Sequence, residues 1–301
     1  MNWAGTTGTI AGNAIAAMTP LIFAALGGLF TELTGMLNIA LEGLILIGAF
    51  FGIVAASMTQ SLFAGLVAGS LAAAVLAWAY GSATIRLKAN IFVTGLAANI
   101  FASGLTVVLS RQWFGTKSVV AFKIPELARP FAGLLGSIPF FGPALFSHTV
   151  LVYLSWFFVI AAAVIIRRTP LGMKIRATGA NAEAVAASGF RPDAYRLIAI
   201  VLSGFFCGMA GVSLSLPLAA YVPNMSAGRG WIALVAIYLG AKSPGKIALA
   251  CFIFALAESY SNYAQGLFRI PAEFILMIPY AATLIALVAG SLAKRAGKAK
   301  G

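Results

Sequence analysis

The sequence predicts an all-α, polytopic membrane protein with about nine transmembrane helices, one of them short. Its composition is the first reason: of 301 residues, 61% are hydrophobic and only 9% are charged, whereas soluble domains carry about a quarter charged residues. The second reason is that the apolar residues form repeated runs of about 20, the length that spans a bilayer. A water-soluble enzyme is therefore excluded, and residues 1–301 are predicted to form a single membrane domain.

Eight apolar runs are long enough for a complete crossing. A ninth run, 226–241, reaches only about 24 Å at a rise of about 1.5 Å per residue, which makes a thin crossing. No positively charged segment precedes the first run, so a signal peptide is not predicted. The eight longer runs cover about 10–31, 39–58, 62–85, 91–110, 148–166, 196–218, 247–265 and 272–291.

The basic residues predict the orientation of these helices. They concentrate at 86–88, at 167–196, at 242–246 and in the tail from Lys294, and nine crossings place all of these regions on one side. Fourteen of the 20 lysines and arginines then lie on that side, which is predicted to be cytoplasmic. A re-entrant 226–241 would move the basic tail to the other side, so the charge pattern favours a true crossing. The N-terminus is accordingly expected outside and the C-terminus in the cytoplasm.

Charge and motif content exclude several functions. The formal net charge is +13, but the basic residues lie between apolar runs, where they mark topology, so nucleic-acid binding is not predicted. The chain has one histidine, His148, and its two cysteines, Cys207 and Cys251, lie in apolar runs, so neither a metal site nor another cofactor is predicted. It carries no GxxxxGK(S/T) phosphate-binding loop and no GxSxG or HExxH motif, so catalysis by this chain is not expected.

Two connecting loops are long. Residues 111–147 contain four prolines among apolar residues and are predicted to form an ordered extracytoplasmic loop with short helices. Residues 167–195 are predicted to be cytoplasmic and to contain a short helix that begins after Asn181 and ends before Gly189. Asn181 is the predicted N-cap, and Glu183 lies in the first turn, where the helix dipole favours a carboxylate.

Polar residues at membrane depth are the pathway candidates because burying them there is costly. Asn38 and Glu42 are four residues apart and therefore share one face of a helix. The flanking Gly35 and Gly43 allow close packing or a helix break. One interpretation is a polar lining at a helix break on a solute path. The other is that Glu42 caps a neighbouring helix or pairs with a basic residue, and the sequence leaves both open.

Asn99 and Arg229 are two further candidates. Asn99 lies nine residues after Asn90, on the opposite face of the helix, so the two have different predicted roles. Asn90 is predicted to be an N-cap, whereas Asn99 lines a pore or bonds a neighbouring helix. Arg229 stands between Gly228 and Gly230, which suits either a turn at the outer mouth or an anchor at the membrane interface.

Four segments, taken in order, resemble the permease subunits of bacterial ABC importers. Residues 19–43 carry Thr-Pro-Leu-Ile-Phe-Ala-Ala-Leu-Gly-Gly and then Gly-Met-Leu-Asn-Ile-Ala-Leu-Glu-Gly, 228–234 read Gly-Arg-Gly-Trp-Ile-Ala-Leu, and 279–284 read Pro-Tyr-Ala-Ala-Thr-Leu. The stretch 176–190 is similar to the ATPase-contacting loop of that family, with Gly-Ala-Asn-Ala at 179–182 where members often have Gly-Glu-Asn-Pro. The resemblance is to the ribose and branched-chain amino acid type and, within it, to the nucleoside and simple-sugar branch.

This resemblance implies an activity and a set of partners. Such a permease is a multi-pass protein among the lipids of the bacterial cytoplasmic (inner) membrane and forms the solute pathway with a second permease copy or a paralogue. It works with ABC ATPase subunits inside and with an extracytoplasmic substrate-binding protein, which the loop 111–147 would meet. The short helix after Asn181 would be the coupling helix. The candidate residues are then Asn38, Glu42, Asn99 and Arg229 for the pathway, and Arg176, Thr178, Gly179, Asn181, Glu183, Ala184 and Gly189 for the ATPase-coupling loop.

The solute and the energy source have alternatives at this level. The resemblance favours nucleosides as the solute, with simple sugars as the alternative. A proton-coupled secondary transporter is a hypothesis from another class. It rests on Glu32, Glu42, Glu258 and Glu273, which lie in or beside apolar segments, where a carboxylate can carry a proton.

Overall fold

Helices make up most of the chain in the computed structural model, which describes residues 3–136, 138 and 141–267. Two short strands, β1 (Val120–Ala121) and β2 (Ala220–Tyr221), pair antiparallel, and Gly142–Phe146 forms a π-helical turn. The helices are α1 (Trp3–Leu33), α2 (Leu41–Thr59), α3 (Leu62–Ile85), α4 (Ile91–Phe114), α5 (Ala132–Leu135), α6 (Val150–Arg168), α7 (Pro170–Ala180), α8 (Ala182–Ala187), α9 (Pro192–Leu218), α10 (Arg229–Leu239) and α11 (Pro244–Leu267).

Six of the described helices are long and apolar enough to cross a membrane: α1, α2, α3, α4, α6 and α9. The predicted multi-pass, all-α class is therefore confirmed, whereas the number of nine crossings is not. The run predicted at 247–265 is helical as part of α11, and the last predicted run, 272–291, lies outside the described residues. The short ninth candidate contains only the 11 residues of α10, about 16 Å of helix, which is too short to cross alone.

The segment from the end of α9 to the end of α10 joins opposite ends of the helix bundle. At one end, β2 pairs with β1 in the loop that follows α4. At the other end, Lys242 Nζ lies 3.0 Å from Glu32 Oε1, beside the last turn of α1. Between them the chain is irregular and includes Asn224, Ala227 and Gly228 with positive φ angles. The segment is thus a broken crossing, with irregular backbone followed by a half-length helix.

Small residues hold the centre of the bundle together. Helices α2, α3 and α9 pack closely because Gly48 of α2 faces Gly208 of α9, where a Cβ on either residue would overlap backbone atoms. The close approach of helix backbones through glycine is a common basis of helix association in membranes. Helix α1 lies beside this group, and its Phe23, Leu26 and Leu29 side chains are completely buried.

The loop 111–147 contains short elements in its described residues, as its composition predicts. These are the end of α4, β1, the one-turn helix α5 and the π-helical turn. The buried His148 follows the loop, and its Nε2 lies 2.8 Å from the carbonyl oxygen of Ala144. The pairing of β1 with β2 was not predicted, because a strand of two residues has no detectable alternation.

The loop 167–195 contains two helices where the sequence predicted one. The predicted helix is α8: the Ala184 N–H donates to Asn181 Oδ1 over 3.0 Å, and Gly189 has a φ angle of +82°. The second helix, α7, was missed. Its start is encoded by the Thr-Pro pair at 169–170, since Thr169 Oγ1 accepts a hydrogen bond from the Gly172 N–H at 3.2 Å and Pro170 occupies the first turn.

Candidate functional site

A break in the helical structure separates α1 from α2. Helix α1 ends at Leu33, Gly35 turns the chain with a φ angle of +80°, and α2 starts only at Leu41. The sequence predicted that Asn38 and Glu42 share one helical face. This is wrong, because Asn38 lies within the break and outside any helix. The reason is local: Asn38 Oδ1 accepts the Ala40 N–H at 2.9 Å, which satisfies a backbone donor outside a helix.

The side chain of Asn38 also connects the break to the bundle. Its Nδ2 donates to Ser203 Oγ in α9 at 2.8 Å, and both residues are buried. The phenol of Tyr80 in α3 is 3.4 Å from the Leu37 carbonyl oxygen. The irregular backbone is therefore fixed by polar contacts from two neighbouring helices, which is how non-helical backbone is tolerated at membrane depth.

Asn99 of α4 caps the start of α2. Its Oδ1 accepts the Gly43 N–H at 2.8 Å, and its Nδ2 donates to the Ile39 carbonyl oxygen at 2.9 Å. Gly43 permits this approach, since a Cβ there would lie 2.8 Å from Asn99 Cα. The geometry matches inter-helix bonding, which was one of the two predicted roles of Asn99. Asn90 caps α4 itself, as predicted, by accepting the N–H groups of Phe92 and Val93.

Glu42 caps a second helix, α10. Its Oε1 accepts the Gly228 N–H at 2.7 Å and its Oε2 accepts the Gly230 N–H at 2.8 Å. Gly230 is required for this contact, because a Cβ there would lie 2.6 Å from the Glu42 nitrogen. These bonds give Glu42 the capping role that was one of its two predicted interpretations, and a lining role on a solute path is compatible with them. The carboxylate also lies in the first turn of α2, so it faces two helix N-termini at once.

Arg229 forms an ion pair with Glu258 of α11. The Arg229 Nη2 contacts Glu258 Oε1, and the two side chains are 19% and 24% exposed. Glu258 lies 14 residues after the start of α11, about 21 Å along the helix. Asn99, which bonds to Gly43 beside Glu42, lies eight residues after the start of α4, about 12 Å along that helix. The cluster therefore lies at membrane depth.

We call this cluster the polar break, defined by Asn38, Glu42, Asn99, Arg229 and Glu258. All except Asn38 retain some exposed surface. The surface continues along α4 and the irregular segment, where Ser103 Oγ donates to Asn224 Oδ1 at 2.7 Å. Partly exposed charged and amide groups at this depth are too costly to face lipid, so they are suited to a water-filled path or a protein interface.

The coupling-loop candidates lie at the same end of the bundle as the C-terminus of α1. Gly179 packs against the turn after α1, where a Cβ would overlap the carbonyl oxygen of Leu33 and lie 3.0 Å from the nitrogen of Gly35. Thr178 is buried, and its hydroxyl donates to the Lys174 carbonyl oxygen at 2.8 Å. The rest of the predicted set is exposed: Arg176, Asn181, Glu183, Ala184 and Gly189. Gly179 thus contacts the turn after α1, which leads to Asn38, while the other coupling-loop candidates except Thr178 are exposed.

A cavity with several polar side chains in its lining lies at the opposite end of the bundle. It has a volume of about 360 Å³ and is lined in part by Asn13, His148, Thr149 and Ser213. Burial lowers the pKa of His148 from its ordinary 6.5, against the opposing effect of the hydrogen bond to Ala144, and the Arg129 guanidinium lowers it further. Among the described residues, no group of three or more potential metal ligands occurs.

Comparison with known proteins identifies the family. Residues 10–287 match the family model described as the permease component of the branched-chain amino acid transport system. The guanosine ABC transporter permease protein NupQ of Bacillus subtilis is 32% identical over 290 residues, covering 89% of this chain and 87% of NupQ. The nucleoside ABC transporter permease protein NupC of Lactococcus lactis is 29% identical over 298 residues, covering 95% of this chain and 93% of NupC.

A sugar relative is similar to the same degree. The putative glucose ABC transporter permease protein TsgC13 of Haloferax volcanii is 31% identical over 255 residues, covering 84% of this chain and 77% of TsgC13. No solved structure matches the chain. Because the family model spans most of the sequence, including the polar break and the coupling loop, this chain belongs to the ABC transporter permease family of branched-chain amino acid transport permease components.

Proposed function

We propose that this permease carries nucleosides across the bacterial cytoplasmic membrane, and that the polar break lines their path. The observation that carries the proposal is the partly exposed set of hydrogen-bonding groups at membrane depth, where two helices begin. A half-length helix such as α10, with its N-terminus at membrane depth, is a recurrent way of building a solute site. Two of the relatives, NupC and NupQ, are nucleoside permeases that align with about nine-tenths of the chain, and simple sugars are the alternative because TsgC13 is similar to the same degree.

The solute is tested by uptake. The chain is produced with its ATPase and binding-protein partners in cells that lack other nucleoside uptake, and accumulation of labelled guanosine is measured. Excess unlabelled uridine or glucose is added as a competitor. We expect guanosine uptake that uridine reduces and glucose does not. Competition by glucose alone would assign the permease to sugars instead.

The loop containing α7 and α8 is the proposed docking surface for the ATPase. Exposed residues there are available to a partner, whereas Gly179 contacts the turn after α1 and so joins the surface to the polar break. The Lys174 ammonium lies 4.1 Å from the centroid of the Phe190 ring, and this cation–π contact fixes α7 against the segment before α9. A push on α8 would therefore move the loop as a unit.

The docking surface is tested with the exposed residue Ala184. Ala184→Glu adds a charge to α8 without filling a buried space, so the protein should reach the membrane at normal levels while ATP-driven uptake falls at least tenfold. Ala128→Glu places the same charge on an exposed residue of the outer loop. It should leave both the amount of protein in the membrane and the binding of the ATPase unchanged. Normal uptake by Ala184→Glu would contradict this role of α8.

Proton-coupled transport is the alternative, and the contacts of the glutamates argue against it. Glu42 is bonded by two backbone N–H groups, Glu258 by Arg229 and Glu32 by Lys242. Each of these described carboxylates is thus bonded to a partner within the chain, whereas a proton carrier would have to release such a partner during transport. Glu273 lies outside the described residues. A protonophore that stops uptake while ATP stays constant would favour the alternative.

The other partners follow from the family. A second permease copy or a paralogue completes the pathway, and the ordered loop 111–147 receives the substrate-binding protein. The loop suits this role because it is structured, exposed and continuous with the irregular segment through the pairing of β1 with β2. The C-terminus is proposed to lie in the cytoplasm. Cross-linking from a cysteine placed at the exposed residue Lys123 tests whether the binding protein contacts this loop.

A further inference from the structure

The N-terminus of α10 at membrane depth would attract an anion if it were unoccupied. Aligned peptide dipoles give a helix N-terminus roughly half a positive charge, and the free N–H groups there bind carboxylates and phosphates. In this chain an internal carboxylate already fills the position, since the two oxygens of Glu42 accept the N–H of Gly228, the residue before the helix, and the N–H of Gly230 in its first turn. Gly230 leaves space for that side chain and for little else, because its own Cβ position lies within 2.8 Å of Glu42 Oε2.

The second positive group of the polar break is also neutralised. Arg229 pairs with Glu258, and its Nη1 lies 3.4 Å and 3.5 Å from the carbonyl oxygens of Met225 and Ser226. Two carboxylates are thus balanced by one guanidinium and by the N-termini of α10 and α2, each worth about half a positive charge. The remaining groups, Asn38 and Asn99, are neutral amides. The cluster offers hydrogen bonds but no free cation.

We propose that Glu42 determines specificity by excluding anions: it occupies the anion site of α10, so the path admits uncharged polar solutes and rejects phosphorylated or carboxylate forms. The inference rests on the proposed nucleoside function and goes further, because it assigns the selection to one side chain. A nucleoside monophosphate would find no positive group left to pair with its phosphate, because Arg229 and the N-terminus of α10 are already occupied, and burying an unpaired charge at this depth is costly.

The first test uses the purified full-length permease in lipid nanodiscs and needs no transport. Glu42→Ala empties the anion site and should lower the apparent melting temperature by several degrees. Sodium formate, compared with sodium chloride at equal ionic strength, should restore it in proportion to the logarithm of the formate concentration. The wild type and Glu126→Ala, which removes an exposed carboxylate from the outer loop, should not respond. A folded Glu42→Ala without a formate response, or an equal response in all three proteins, would overturn the proposal.

The second test uses uptake by the complete transporter and covers the case in which Glu42→Ala does not fold. Glu42→Gln keeps the size of the side chain and one acceptor oxygen while removing the charge. Guanosine 5′-monophosphate should inhibit guanosine uptake by this variant at least tenfold more strongly than uptake by the wild type. Equal inhibition would contradict the role of Glu42. A wild type that takes up no guanosine would contradict the nucleoside function, whereas the formate test would still decide whether Glu42 fills an anion site.

Discussion

Replacing Asn99 with alanine removes two hydrogen bonds that join α4 to the start of α2. The lost bonds are the 2.8 Å contact from the Gly43 N–H and the 2.9 Å contact to the Ile39 carbonyl oxygen. Inter-helix hydrogen bonds in membranes contribute about 0.6 kcal/mol each on average and up to about 1.7 kcal/mol. Asn99→Ala should therefore destabilise the protein by about 1–3 kcal/mol. It should also reduce uptake at least tenfold, because the freed start of α2 carries Glu42.

Asn90→Ala is the matched control for this prediction. Asn90 is the same residue type in the same helix, but it caps only its own helix, and the loss of such a cap costs about 1 kcal/mol. Both variants should unfold at lower temperature in nanodiscs, and only Asn99→Ala should lose uptake. Equal uptake by the two variants would refute the reasoning, because the bonds made by Asn99 would then stabilise the bundle without positioning the polar break.

Three further predictions concern packing, a helix cap and pH. Gly211→Ala should prevent accumulation of folded protein, since its Cβ would overlap the Ile45 carbonyl oxygen, whereas Gly104→Ala, with no atom within 4 Å, should fold normally by size-exclusion chromatography. Thr169→Ala should cost about 1 kcal/mol and speed hydrogen exchange in the first turn of α7; unchanged exchange would contradict the cap. The lowered pKa of His148 means that the unfolded state binds the proton more tightly than the folded state does. The contribution of the neutral imidazole to folding stability is therefore complete above pH 6.5 and is lost as pH falls through the lower folded-state pKa. The temperature of thermal unfolding should then fall between pH 7.5 and pH 5.5 by less in His148→Gln than in the wild type. Equal falls in the two proteins would contradict this role of His148.

Local features of this fold could be predicted from the sequence. The apolar runs, the caps at Asn90 and Asn181 and the C′ glycine at 189 were all predicted, because each depends on residues a few positions apart. Helix α7 also has a local signal, the Thr-Pro pair, which was overlooked.

The contacts of the polar break could not be assigned in the same way. Glu42 bonds to residues 186 and 188 positions away, and Arg229 pairs with a partner 29 positions away. A single sequence indicates that such polar groups need partners at membrane depth, but it does not indicate which ones. Both a pathway role and a bonding role were predicted for Glu42 and Asn99, and the packing of α2 against α4 and α10 supplies bonding partners that no local pattern identifies.

The energy source of uptake tests the central claim most directly. The permease is reconstituted in proteoliposomes with its ATPase and binding-protein partners, and labelled guanosine uptake is measured with ATP, without ATP and with ATP plus a protonophore. The account predicts accumulation that requires ATP and is unaffected by the protonophore. Accumulation that continues without ATP and stops on addition of the protonophore would contradict it.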